Sequence, residues 1–372
     1  MNYQFQLSRA IVLVLLPLLT QCEILTGHAR NSLKLNEIQI IGSHNSYKKP
    51  MDPALMAQLA ADNPQTAASL EYSHRPLAEQ LDLGLRKLEL DIFYDPQGGR
   101  YASPLGTRAI ASARPFDPDG VMERPGFKVL HVQDIDFRSH CLTFRDCLGQ
   151  IVTWSDANPE HLPIFITINA KDDVIDRPGF VKPLEFTGLA WDALDAEIRS
   201  VVGEKLLVPD QVRGQHESLR AAVLDGWPTL VEVRGRILFV LDDSTAKKQA
   251  YVKDHPSLAG RVLFVDAPED SPEASIRIVN DPLQQENYIQ ELVRQGFIVR
   301  TRSDANTSEA RTGDKSRFDA ALRSGAQIIS TDYYSRDEKF GKDFLIALPG
   351  KVVARCNPVL VATPCSLSAF AN

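Results

Sequence analysis

Residues 38–47 read IQIIGSHNSY, an apolar run that breaks at Gly-Ser and delivers a histidine and an asparagine. A run of roughly four to eight apolar residues bounded by polar or turn residues signals a buried strand. His44 and Asn45 therefore fall where a strand ends. The pattern returns in RKLELDIF (86–93), which carries Glu89 and Asp91, and in KVLH (128–131), which closes on His131. Parallel α/β barrels assemble their active sites at such strand ends.

Five more apolar runs follow, at 162–168, 236–241, 261–265, 297–301 and 327–330, making eight candidate strands. Between them lie helical patterns at 141–154, 191–201, 281–294 and 315–323, with apolar residues three and four apart. Alternating strand and helix requires a parallel sheet. Eight strands predict an α/β fold closed as a single (β/α)8 TIM-type barrel. An open doubly wound sheet would also want a glycine-rich first turn, and no GxGxxG or Walker loop is present. Long intervals at 48–75 and 95–128 follow the first two strands, so long loops should stand over the barrel mouth.

Of the 372 residues, 44% are hydrophobic and 24% charged, as in an ordinary globular enzyme. A net charge of -7 argues against nucleic acid as a partner. Arg9, the apolar stretch 10–19 and the polar Thr20 and Gln21 have the order of a secretory signal, with Ala29 a suitable cleavage position. Residues 1–29 are thus expected to be a signal segment of a secreted or periplasmic protein, and 30–372 one barrel domain. That leaves Cys141, Cys147, Cys356 and Cys365, an even count suited to an oxidising compartment. Four cysteines allow three connectivities; two local bridges, Cys141–Cys147 and Cys356–Cys365, are the simplest.

Glu89 and Asp91 are two apart on a strand and so share a face, which in a barrel is the interior. Two like charges side by side require a metal, or an Arg or Lys, to neutralise them. Asn45 and Asn169 can add neutral oxygens, and an all-oxygen set suits calcium or magnesium. His44 and His131 are then free for proton transfer, and Lys171 can reach a phosphate. Nucleophile, leaving group and phosphorane charge in phosphodiester cleavage need this division of labour. Arg300 and Arg302 flank Thr301 and share a face if the strand persists, placing both toward phosphate or hydroxyl groups, with Asp304 an alternative ion-pair partner. Asp332, after the last strand, is a candidate to orient His44.

The motifs IQIIGSHNSYK, LELDIFYDP, LHVQDIDF, INAKDD, FIVRTRSDA and GAQIISTDYY together resemble the secreted bacterial calcium-dependent phosphatidylinositol-specific phospholipases C, within the phospholipase C and glycerophosphodiesterase barrel superfamily. The resemblance spans residues 38–334. It implies that His44 is the general base toward the inositol 2-hydroxyl and His131 the general acid toward the departing diacylglycerol. It also implies that Asn45, Glu89 and Asp91 ligate calcium, rather than magnesium. Eukaryotic relatives place a glutamate where this chain has Asn169, which removes one ligand charge unless a nearby acid such as Asp172 substitutes. The expected partner is phospholipid at a membrane or micelle surface, met transiently by a monomer. Phe93, Tyr94 and Tyr101 are candidates for that contact, with core packing as their other fate. Glycerophosphodiesters and sphingolipids are alternative substrates within the superfamily, and a head-group-binding protein without turnover is an alternative of another class.

Overall fold

The computed structural model describes residues 33–110, 115–340, 344–361 and 367. The expected signal segment and Cys365 lie outside the described residues. Ten strands are present: β1 (Ile38–Ser43), β2 (Lys87–Phe93), β3 (Lys128–Val129), β4 (Ile164–Ala170), β5 (Ile237–Leu241), β6 (Leu263–Val265), β7 (Ile276–Ile278), β8 (Ile298–Arg302), β9 (Ile328–Thr331) and β10 (Ala354–Cys356). Eight of them run in the order β6-β5-β4-β2-β1-β9-β8-β7, all parallel along this path. A parallel bridge between Asp266 and Ile276 brings the two ends together, so the barrel is nearly closed.

The eight-stranded barrel was legible, but one strand was misplaced. The run at 128–131 forms β3, which pairs antiparallel with β2 outside the ring. The vacant place is taken by β7, whose three residues Ile-Arg-Ile are too short and too mixed to register as an apolar run. β10, a second antiparallel strand outside the ring, pairs with the start of β1, from Ile38 opposite Cys356 to Ile40 opposite Ala354. β1 and β2 touch in register only at Gly42 and Lys87. A Cβ on Gly42 would stand 2.3 Å from the Cβ of Lys87, so only glycine permits this approach.

Around the ring, helices bury one apolar face each. The helix Phe144–Ala157 is capped by the Thr143 side chain and presents Phe144, Cys147, Leu148, Ile151 and Trp154 to the barrel wall. Pro282–Gln295 starts on an Asp281 cap with proline at its first position and ends at Gly296 with φ 104°. Leu88, Leu90, Ile92, Ile164, Ile166 and Ile168 join this outer core. Alternate residues therefore face inward, and they are largely polar: Lys87, Glu89 and Asp91 stand beside Phe165, Thr167 and Asn169 in register.

The long interval after β1 folds as three helices, Pro53–Asp62, Pro64–Leu70 and Leu77–Asp82. Thr307 donates to the Ala68 carbonyl and Arg311 pairs with Glu71, tying this insertion to the loop after β8. Phe93 and Tyr101 are buried against each other beneath the insertions, with ring centroids 5.0 Å apart, and Tyr94 is half-buried. Core packing is thus the fate of Phe93 and Tyr101. Among the described residues no helix is long and apolar enough to cross a membrane.

Candidate active site

The end of β1 is strapped to the middle of β2. Ser46 N–H donates to the Glu89 carbonyl at 3.0 Å, and Glu89 N–H donates to Ser46 Oγ at 2.8 Å. Between them Asn45 takes φ 47°, a left-handed conformation that asparagine tolerates better than most residues. The turn brings His44 and Asn45 over the same interior face as Glu89. His44 Nε2 lies 3.5 Å from Glu89 Oε1.

Both histidines are held in the same way. His44 Nδ1 is 3.0 Å from Asp332 Oδ1, and His131 Nδ1 is 2.8 Å from Asp136 Oδ2. A carboxylate only accepts, so each Nδ1 carries the proton and each Nε2 is left as the reactive atom. Both carboxylates are buried, while the rings keep 18% and 17% side-chain exposure and so stay reachable. Burial, reinforced by the Arg302 guanidinium, pulls the His44 pKa below its ordinary value against the pull of Asp332 and Glu89. Burial would raise Asp332, but His44, His74 and Arg302 together hold its carboxyl far below the usual range.

The carboxylates of β2 are neutralised by the chain's own cations. Glu89 Oε2 accepts from Lys87 Nζ at 2.6 Å, Arg300 Nη2 at 2.8 Å and Thr167 Oγ1 at 3.1 Å. Burial alone would raise its pKa; Lys87, His44 and Arg300 outweigh that and hold it well below normal. Burial in turn pushes Lys87 down to about 8. Asp91 Oδ2 lies 3.0 Å from Lys171 Nζ, yet this buried oxygen has no hydrogen-bond partner among the described residues.

Asn45 and Asn169 both spend their amide N–H groups on protein acceptors, Tyr72 Oη at 2.7 Å and the Asp242 carbonyl at 2.7 Å. Their carbonyl oxygens could join the Glu89 and Asp91 carboxylates around a cation. This set of two carboxylates and two amides suits a hard cation. Among the described residues no group of three or more His, Cys, Asp or Glu side chains could hold a metal ion. Asp172 pairs through Oδ1 with Lys247 Nζ at 2.6 Å and accepts at Oδ2 from the Phe186 N–H at 3.2 Å.

Arg300 is buried and occupied by Glu89, Asn280 and, at 3.5 Å, Asp242. Arg302 lies against the first histidine: its Nη2 is 3.5 Å from Asp332 and 3.4 Å from His44 Nδ1. Its Nε donates to the backbone carbonyl of Asp304, whose carboxylate instead accepts from Ser303, Thr331 and the Asp332 N–H. Sequence reasoning missed Asp136, Lys87 and His74. His74 is buried with Nε2 3.6 Å from Asp332 and stacks on Tyr334 at 5.4 Å. Lys87 was accessible to the face rule that paired Glu89 with Asp91, being two residues earlier on the same strand. Lys48 bridges the two halves, with Nζ 3.3 Å from Asp136 and 4.7 Å from the centre of the Tyr72 ring.

A family model described as phosphoinositide phospholipase C, Ca2+-dependent, matches residues 33–358. Among solved structures, the chain is similar to the calcium-dependent phosphoinositol-specific phospholipase C of a Gram-negative Pseudomonas species, at 16% identity and a TM-score of 0.53, with 88% of this chain and 96% of that one covered. The Ca2+-dependent phosphatidylinositol-specific phospholipase C of Streptomyces antibioticus is similar at 18% identity and a TM-score of 0.52, covering 82% of this chain and 96% of that one. Both are likenesses of fold. A comparison with curated proteins returned no significant match.

Proposed function

Because the chain belongs to the Ca2+-dependent phosphoinositide phospholipase C family, we propose that it cleaves the phosphodiester of phosphatidylinositol, releasing diacylglycerol and a cyclic inositol phosphate. The observation that carries this reading is the pair of histidines, each with Nδ1 on a buried carboxylate and Nε2 free for chemistry. His44 Nε2 takes the proton of the inositol 2-hydroxyl, whose oxygen attacks phosphorus as the bond to the glycerol oxygen breaks. His131 Nε2 delivers a proton to that departing oxygen. Water then opens the cyclic phosphate with the two roles exchanged.

The lowered pKa of His44 supports its starting neutral, as a base must. Asp332 and Asp136 fix the two tautomers and stabilise each imidazolium as it forms. Asn45, Glu89, Asp91 and Asn169 would hold calcium, which when bound supplies positive charge to the phosphate oxygens and lowers the pKa of the attacking hydroxyl. Lys171, in the loop after β4, adds an ammonium to the same phosphate. Secretion into an oxidising compartment is supported by the Cys141–Cys147 disulfide. Cys356 is also disulfide-bonded.

The test is release of water-soluble inositol phosphate from phosphatidylinositol micelles, with calcium, with excess chelator, and with His44→Ala. Glycerophosphoinositol and sphingomyelin serve as competing substrates. Calcium-dependent release abolished by His44→Ala is expected. Release that survives the chelator overturns the calcium assignment, and turnover of a competing substrate alone moves the activity to that phosphodiester.

A further inference from the structure

Three cations press on Glu89 and Asp91, and their surroundings differ. Lys87 is fully buried and donates to the Ser43 carbonyl, Ser330 Oγ and Glu89. Arg300, with a side chain 3% exposed, is bonded to Glu89 and Asn280. Moving either one breaks several buried hydrogen bonds. Lys171 is the first residue beyond β4, its side chain is 27% exposed, and its ammonium lies 3.0 Å from Asp91 Oδ2. By hydrogen-bond geometry that oxygen still has no donor among the described residues. Displacing Lys171 breaks this one ion pair, whereas displacing Lys87 or Arg300 breaks several buried hydrogen bonds.

Resting on the calcium-dependent reading above, we propose that Lys171 is a displaceable counter-ion that neutralises Asp91 until a divalent cation arrives and then moves to the substrate's phosphate. A cation bound to Asp91 Oδ2 and an ammonium 3.0 Å from the same oxygen repel each other strongly in so enclosed a site. The Lys171 side chain is 27% exposed, so the ammonium has a way out toward solvent. There it meets the anionic phosphate that the cation also attracts. Cation and phosphate therefore bind with positive coupling, and the coupling is reciprocal. Lys171 opposes calcium in the empty protein and assists phosphate in the loaded one.

The experiment is calorimetric titration of the full chain with calcium chloride, with and without myo-inositol 1-phosphate, for the wild type, Lys171→Met and Asp91→Asn. Lys171→Met should bind calcium at least about tenfold more tightly, because no ammonium has to be displaced. In that variant, inositol phosphate should raise the calcium affinity by a smaller factor than in the wild type. Asp91→Asn should weaken calcium binding. Unchanged or weaker calcium affinity in Lys171→Met, with Asp91→Asn still weakened, overturns the proposal and leaves the calcium reading intact. Absence of calcium uptake by both wild type and Lys171→Met overturns the calcium reading and the proposal with it. Thermal unfolding of each variant establishes that the protein titrated is folded.

Discussion

His44 and Asp332 meet with Nδ1 and Oδ1 3.0 Å apart although 288 residues separate them, while His131 and Asp136 make the same contact from a single loop. One His–Asp pair is thus built by barrel closure and the other by a local turn. Asp332→Asn should lower kcat by roughly 10²- to 10⁴-fold, since the amide no longer selects the tautomer with Nε2 free. Asp136→Asn should do the same to the other histidine. Steady-state kinetics on phosphatidylinositol, with KM nearly unchanged, would bear this out.

Lys87→Met should cost about 3 kcal/mol of stability, because it leaves the Glu89 carboxylate buried with one of its two cationic partners gone. Urea unfolding gives the value. A stability within 0.5 kcal/mol of the wild type would mean that Arg300 neutralises Glu89 unaided, that margin being about what a substitution free of any lost interaction produces.

Acid should weaken the fold partly through His161, far from the site, which is buried between Ser155 Oγ and the Leu162 carbonyl. Burial pushes its pKa down to about 4 from 6.5. Between those values the unfolded chain binds a proton that the folded chain refuses. Its contribution is therefore complete above pH 6.5 and is lost as the pH falls toward 4, by up to about 3 kcal/mol. His161→Gln should flatten the stability profile over that window, measured by urea unfolding at several pH values.

Gly42→Ala should destabilise by about 1–3 kcal/mol or force β1 away from β2, since the new methyl meets the Lys87 side chain and backbone. Thermal unfolding and loss of activity together would report it.

Seven of the eight barrel strands could be read from the chain because each is a continuous apolar run between turn residues. β7 could not, because Arg277 interrupts three residues whose pairing with β8 is decided by tertiary context. The short helices between β1 and β2 were hidden by proline-rich, weakly periodic sequence. In the site, Glu89 and Asp91 were legible from strand alternation, and Asn169 stands directly beside Asp91 in register. The neutralisation was only half legible: a cation was demanded, but that Lys87, Arg300 and Lys171 supply it depends on which side chains the closed barrel brings inward. Asp136 was invisible because its approach to His131 depends on a tight loop in which Asp134 takes φ 74°.

β1 carries the first histidine, yet two of its partners, β9 and β10, come from the far end of the chain, with Gln39 opposite Arg355 and bonded to it across 316 residues. A polypeptide emerging from its N-terminus makes this strand early and cannot complete its sheet until almost everything else has been synthesised. The His44–Asp332 pair is consequently among the last parts of the molecule to come into being. A chain cut short anywhere before β9 lacks Asp332 and leaves His44 without its carboxylate, although His131 and Asp136 are already paired.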